Sequence, residues 1–321
     1  MLSRVADSLY WMSRYLERVE HSARLIDANV VLALDQAPAF AEQRWARLLA
    51  SLHATAPEGA SDARSITDAL TFDRSNRASI ITSLGAARDN ARQVREQISS
   101  EMWEQLNRLF LQVSQIGIED IWNIQPHAFF RSVKEGAHLF QGLTDATMNQ
   151  GEGWHFMELG RFIERASATA ALLDAQFAHY NRTEDEEERP QAMNQYLDWV
   201  GFLKSRTAFE AYCQVYTADL QPERIAEFLL LNPEFPHSLR FAAGRINRAL
   251  QAIVRVTNSR RSGQAERLTG RLRATLEYAQ IDEILSGNIR AYLAEMQEQC
   301  AQIHSTIHEV YFAPPLAAVL N

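Results

Sequence analysis

The chain has 321 residues, 46% of them hydrophobic and 22% charged, with a net charge of −8. These values suit one large globular domain or two ordinary ones, and the negative balance argues against a general polyanion binder. Two cysteines are too few for a disulfide framework, no run has the apolar length of a membrane span, and the N-terminus lacks a signal-peptide pattern.

A reducing cytoplasm is therefore the expected compartment. Cys213 and Cys300 each sit in a helical pattern and read as structural thiols. Glycine (13) and proline (9) are scarce, which predicts long helices with short connections.

The first helix is marked by Leu2, Val5, Leu9, Met12, Leu16, Val19, Ala23, Ile26 and Val30, which step by three and four. Helices are then predicted over Phe40–Ala54, Ala78–Ser99, Glu101–Gln115 and Phe129–Asp145. A second long helix follows, with Phe156, Leu159, Ile163, Ala166, Ala170, Leu173 and Phe177 in the register of the first. Further helices are expected over Gln195–Tyr216, Ser238–Val256, Ala265–Leu285 and Asn288–Tyr311. The predicted loops are Asp35–Ala39, Pro57–Ser65, Asn181–Pro190, Leu231–Pro236 and Asn258–Gly263. The acidic run Glu184–Glu188 lies in one of them and reads as a solvated loop. No period-two run of β-branched residues suggests a strand.

The two long helices resemble each other. At a fixed offset Arg14 matches Arg161, Glu17 matches Glu164 and Arg18 matches Arg165, and Ala23, Leu25 and Asp27 match Ala170, Leu172 and Asp174. A weaker likeness joins Phe72–Ala87 to Leu231–Ile246, aligning Ser79 with Ser238 and Gly85 with Gly244. The expectation is an all-α protein, a single large helical bundle built from two related halves by internal duplication. The halves are residues 1–147 and 148–321, and they share one core.

Adjacent residues on a helix point about 100° apart, so Glu17 cannot simply bridge to Arg18. An arginine flanked by Tyr15, Leu25 and Trp11, as Arg18 is, needs a partner, and Arg165 is framed likewise by Phe162 and Leu172. Arg14, His21 and Arg161 offer local pairing. The alternative is reciprocal: Glu17 with Arg165 and Glu164 with Arg18, fastening the halves. A ligand-facing role for the same residues stays open beside the structural one.

A second feature is basic. Nine arginines lie between His237 and Leu276 with one acid, Glu266, among them. Arg240, Arg245, Arg248, Arg260 and Arg261 are candidate contacts for an anion or an acidic partner. The alternative is that the stretch faces acids such as Glu277, Asp282 and Glu283. Nucleic acid is a poor fit without interleaved aromatics. His304 with His308, and His155 with Glu158, share helix faces, but neither is a complete ligand set, and no metal is expected. The chain also has no glycine-rich phosphate loop, no G-x-S-x-G and no paired CxxC, so no cofactor is expected.

MLSRVADSLYWMSRYLERVEHSARLID, FMELGRFIERASATAALLD, ARDNARQVREQISSEMWEQLN (Ala87–Asn107) and NPEFPHSLRF (Asn232–Phe241) together resemble the bacterial alpha-E family, over essentially the whole chain. That family is described as an α-helical domain with a conserved ER motif. The resemblance implies a partner more than a reaction. Its members are typically encoded with a circularly permuted ATP-grasp amide ligase, often with a transglutaminase-like peptidase and a proteasome-like hydrolase. The setting implied is peptide or amide-metabolite synthesis or modification.

Glu17, Arg18, Glu164 and Arg165 match the motif, without assigned roles. The second copy has Ser167 and Ala168 where the first has Glu20 and His21. Three readings follow. The chain is an accessory or co-catalytic partner of the ligase, a stand-alone amide-transfer or hydrolytic enzyme using Glu17 or Glu164 as general base, or a scaffold only.

Overall fold

The computed structural model describes residues 1–33, 38–55, 62–184, 192–257 and 262–313. Among the described residues every regular element is helical. In chain order these are α1 (Ser3–Ala33), α2 (Pro38–Ser51), α3 (Ala63–Thr71), α4 (Ile80–Gln93), α5 (Ser100–Ser114), α6 (Ile118–Trp122) and α7 (Pro126–Thr147). They continue with α8 (Glu152–Glu184), α9 (Ala192–Lys204), α10 (Phe209–Tyr216), α11 (Pro222–Leu231), α12 (Leu239–Thr257), α13 (Gly263–Tyr278), α14 (Ile281–Ser286) and α15 (Ile289–Ile307). A π-helical turn, His308–Phe312, extends α15.

The two long helices, α1 and α8, pack on each other at the centre. Their apolar seams drive this: Leu9, Met12, Leu16, Val19, Ala23 and Ile26 of α1, and every predicted seam residue of α8 from Phe156 to Phe177, are buried. Leu2, the first seam position, lies outside the core at 64% exposure.

The surrounding helices follow the same order twice. α1 carries α4 and α7, with α5 bridging those two. α8 carries α12 and α15, with α13 bridging those. Ser79 accepts the Thr82 N–H at the start of α4 (3.2 Å), and Ser238 accepts the Phe241 N–H at the start of α12 (3.1 Å). Asp27 of α1 reaches Lys134 of α7 at 2.5 Å, and Asp174 of α8 reaches Arg290 of α15 at 2.9 Å.

Gly160 lets α1 and α8 approach. A Cβ there would stand 2.4 Å from the Tyr10 carbonyl oxygen, inside any real contact distance.

Several predicted boundaries differ. The helix expected over Gln195–Tyr216 is two, α9 and α10. Ala208 N–H bonds Leu203 O (2.8 Å) and Thr207 N–H bonds Lys204 O (3.1 Å), a Schellman stop with Thr207 in the left-handed region at φ 50. Glycine usually marks that position, so its absence hid the break. The expected Ala265–Leu285 helix divides into α13 and α14, because Ala279 and Gln280 adopt extended backbone. The expected Ala78–Ser99 helix ends at Gln93, and Ser99 instead caps α5. Helices α3, α6 and α11 add to the expected set. Of the acidic run only Glu184, the last residue of α8, falls within the described residues.

Candidate functional site

From Leu16 to Asp27, α1 is enclosed nearly all round, so its polar residues are buried too. Glu17, Glu20, His21, Ser22, Arg24 and Asp27 are all buried, and only Arg18 is partly open. Buried charges must be paired, and these are paired mainly across helices.

Arg165 donates Nε–H to one Glu17 oxygen (2.6 Å) and an Nη2–H to the other (2.7 Å). In the opposite sense Glu164 accepts from Arg18 Nε (2.7 Å) and from Arg14 Nε (2.7 Å). Both reciprocal pairs expected from the repeated helices are present. The local pairings are not: Arg14 binds Glu164 rather than Glu17, and Arg161 binds Glu158. Aromatic faces complete the frame, with Arg14 over Trp11 (4.9 Å), Arg18 over Tyr15 (5.5 Å) and Arg165 over Phe162 (5.1 Å).

Electrostatics follow from this packing. Burial alone would raise the Glu164 carboxyl, but Arg14 and Arg18 outweigh it and hold it at about 2. Burial and then the Arg206 guanidinium push His21 well below its ordinary value, so its ring is neutral. Burial likewise lowers His237, beside Arg165 and Arg206. Glu20 would be raised by burial, yet His138 (3.1 Å) and Arg24 keep it well below the usual range. Burial brings Arg206 down to about 10.

Arg206, His237 and His138 were missed by sequence reasoning. They reach the ER helices from the α9–α10 junction, the turn before α12, and α7. Arg206 was the most findable, as the second of two cations, with Lys204, that follow the apolar run Trp199–Leu203.

The signs give a prediction for pH. Glu164 contributes stability that is present above its ordinary 4.5 and lost as pH falls toward about 2. His21 is depressed below 6.5, so the unfolded chain takes up its proton first, and stability is lost from 6.5 downward. The slope is about 1.4 kcal/mol per pH unit for that group. Urea midpoints should fall steadily between pH 7 and pH 5, and a flat profile over that range would count against a buried neutral His21.

Beside the crossed pairs lies a cavity of about 320 Å³. Arg18, His21 and Ser22 of α1 form one wall, and Glu164, Ser167 and Ala168 of α8 another. Ser51 and His53 close it from the end of α2, and Arg77 from the turn before α4. His53 occupies the left-handed position (φ 49) of a second Schellman stop, with Ala54 N–H on Leu49 O at 2.9 Å. His21 Nε2 and Ser22 Oγ are buried without a partner.

The basic stretch is divided. Arg245 joins Arg161 on buried Glu158, Arg271 approaches Glu295 at 3.6 Å and Arg273 binds Glu277 at 3.0 Å. Arg240 reaches the Leu231 carbonyl at 3.4 Å. Arg248 is exposed, and with Arg245, Trp154 and His155 it borders a depression of about 180 Å³. Arg260 and Arg261 lie outside the described residues.

His304 is engaged by the Tyr10 hydroxyl at 2.9 Å. Among the described residues no three metal-ligating side chains come together, and no helix is long and apolar enough to cross a membrane. Cys300 is buried, which raises its thiol to about 11, whereas Cys213 is partly exposed.

A family model described as a predicted alpha-helical domain with a conserved ER motif matches residues 1–312. The chain is also similar to an uncharacterised protein of Mycobacterium bovis, 24% identical over 335 aligned positions covering 96% of this chain and 36% of that protein. An uncharacterised protein of Mycobacterium tuberculosis is 23% identical over the same shares. The chain thus spans about a third of the length of the curated relatives it matches. No solved structure matches it.

Proposed function

The chain belongs to the Alpha-E family, and on that footing we propose that it is a ligand-holding accessory partner of a circularly permuted ATP-grasp amide ligase. It would serve peptide or amide-metabolite synthesis or modification in a reducing cytoplasm. The observation that carries the reading is the state of the two ER glutamates. Each is taken up by guanidiniums of the opposite helix, beside a cavity of metabolite size.

That arrangement favours holding over bond-making. A general base works best with a pKa near the operating pH, and Glu164 at about 2 is far too weak a base for neutral conditions. The stand-alone enzyme using this glutamate is thereby the weaker reading. A pure scaffold leaves the cavity and its unpartnered donors without purpose.

The partner is supported by chain length: in the curated relatives a region of this kind is joined to a longer polypeptide. Arg248 and the depression beside it offer that partner an exposed cationic face. The matching order of packed helices supports two related halves, 1–147 and 148–321, built by duplication around one core. A transglutaminase-like peptidase from the same setting is a further candidate associate.

Mixing the chain with the ATP-grasp ligase should give a co-eluting complex in size-exclusion chromatography and raise the ligase's amide-forming rate. Separate elution, no crosslinks and an unchanged rate would overturn the partnership.

A further inference from the structure

The cavity beside the ER crossing has a surplus of positive charge and donors with nothing to bind. The cavity is lined by Arg18 and Glu164, and in the network behind them the buried Arg14, Arg24, Arg165 and Arg206, with the partly open Arg18, face three carboxylates, Glu17, Glu20 and Glu164. Arg77 adds another cation at the cavity's exposed edge, with no ion-pair partner among the described residues.

The hydrogen-bond chain fixes the tautomer of His21. Arg206 lies 2.7 Å from His21 Nδ1 and 2.6 Å from the Thr169 hydroxyl, which in turn donates to the His237 carbonyl at 3.1 Å. Arginine has donors only, so Nδ1 of the neutral ring accepts and its proton sits on Nε2. That Nε2–H has no acceptor in the protein. The Ser22 hydroxyl, on the next residue and only 1% exposed, has no partner either. Buried polar groups left unpaired are costly, and both belong to residues lining one cavity. Arg18 and Arg77 line a space of about 320 Å³ whose wall includes the residues that carry the two unpartnered donors, a setting that fits a ligand with acceptor oxygens. Leu52 and Ala171 supply an apolar wall for a short carbon skeleton.

We propose that this cavity binds a small organic anion through a carboxylate or phosphate group, with Arg18 and Arg77 as its cations and His21 and Ser22 as neutral donors. The site deepens the ligand-holding half of the functional reading and does not depend on the ligase.

The test uses the isolated full chain at pH 7. Titration calorimetry and thermal unfolding are run with inorganic phosphate and with succinate, against sodium chloride at matched ionic strength. At least one anion should bind and raise Tm beyond chloride, and the stronger of the two identifies the oxyanion. Arg77→Gln should weaken that binding at least about tenfold, the loss of one charge-assisted bond. Arg77 is exposed, so the unliganded Tm should hold. Arg248→Gln, which changes an exposed arginine outside the cavity lining, should bind as the unaltered chain does. The proposal is overturned if neither anion exceeds chloride, if Arg77→Gln binds normally, or if Arg248→Gln weakens binding equally. Because no ligase is present, failure here leaves the partnership standing, and failure of the partnership leaves this binding intact.

Discussion

Replacing Glu17 with glutamine is expected to cost about 3–5 kcal/mol of folding stability, the usual penalty for stranding one member of a buried ion pair. The side chains of Glu17 and Arg165 are 1% and 7% exposed. With the carboxylate gone, Arg165 keeps its charge inside the protein with the Pro236 carbonyl, at 3.3 Å, as its remaining acceptor. Arg206 and Arg24, close by, make that charge harder to bear. Urea unfolding at pH 7 measures the loss. Glu277→Gln is the internal control. Its partner Arg273 is bound at 3.0 Å, but the two side chains are 35% and 49% exposed. That change should cost less than about 1 kcal/mol. Similar losses in the two variants would mean that burial does not distinguish the pairs.

Gly160→Ala should be nearly as damaging, for a steric reason. In an exposed helix interior the change gains up to about 1 kcal/mol, because alanine restricts the unfolded chain. At Gly160 the new methyl would stand 2.4 Å from the Tyr10 carbonyl oxygen and 3.2 Å from Arg14 Cγ. A backbone oxygen in the middle of α1 cannot swing aside. The two helices must separate, and the crossed pairs held at 2.6–2.7 Å lengthen with them. Overpacking of this kind costs about 1–3 kcal/mol before that further loss. Gly142→Ala, on the exposed side of α7 with nothing within 4 Å, should instead stabilise by about 0.5–1 kcal/mol. Opposite signs at the two glycines are the expected outcome of paired thermal melts.

Much of this was legible in the sequence because helix periodicity is local. The seams of α1 and α8 could be read residue by residue, and matched Glu-Arg registers on two such helices put crossed pairing among the alternatives, beside local pairs and a ligand-facing role. What stayed hidden depends on three-dimensional approach. The stops at His53 and Thr207 are made without glycine, so the sequence carried no mark of them. Arg206 enters the network only because the chain turns there. The cavity needs Ser51 and His53 from the end of α2, and Arg77 from the turn before α4, brought against α1 and α8. For the arginine-rich stretch the sequence left a docking face and pairing with nearby acids both open, and the fold divides it: Arg245 is committed to Glu158 while Arg248 is exposed.

The most direct test of the crossed fastening is a double-mutant cycle on Glu17→Gln and Arg165→Gln, read by urea unfolding at pH 7. Each single change leaves an unmatched group inside the protein, whereas the double change removes both charges together. The double variant should be more stable than the sum of the single losses predicts, by about 2 kcal/mol or more, at the upper end of couplings between contacting residues. Losses that add to within about 0.5 kcal/mol would contradict the view that the two ER motifs hold α1 and α8 together.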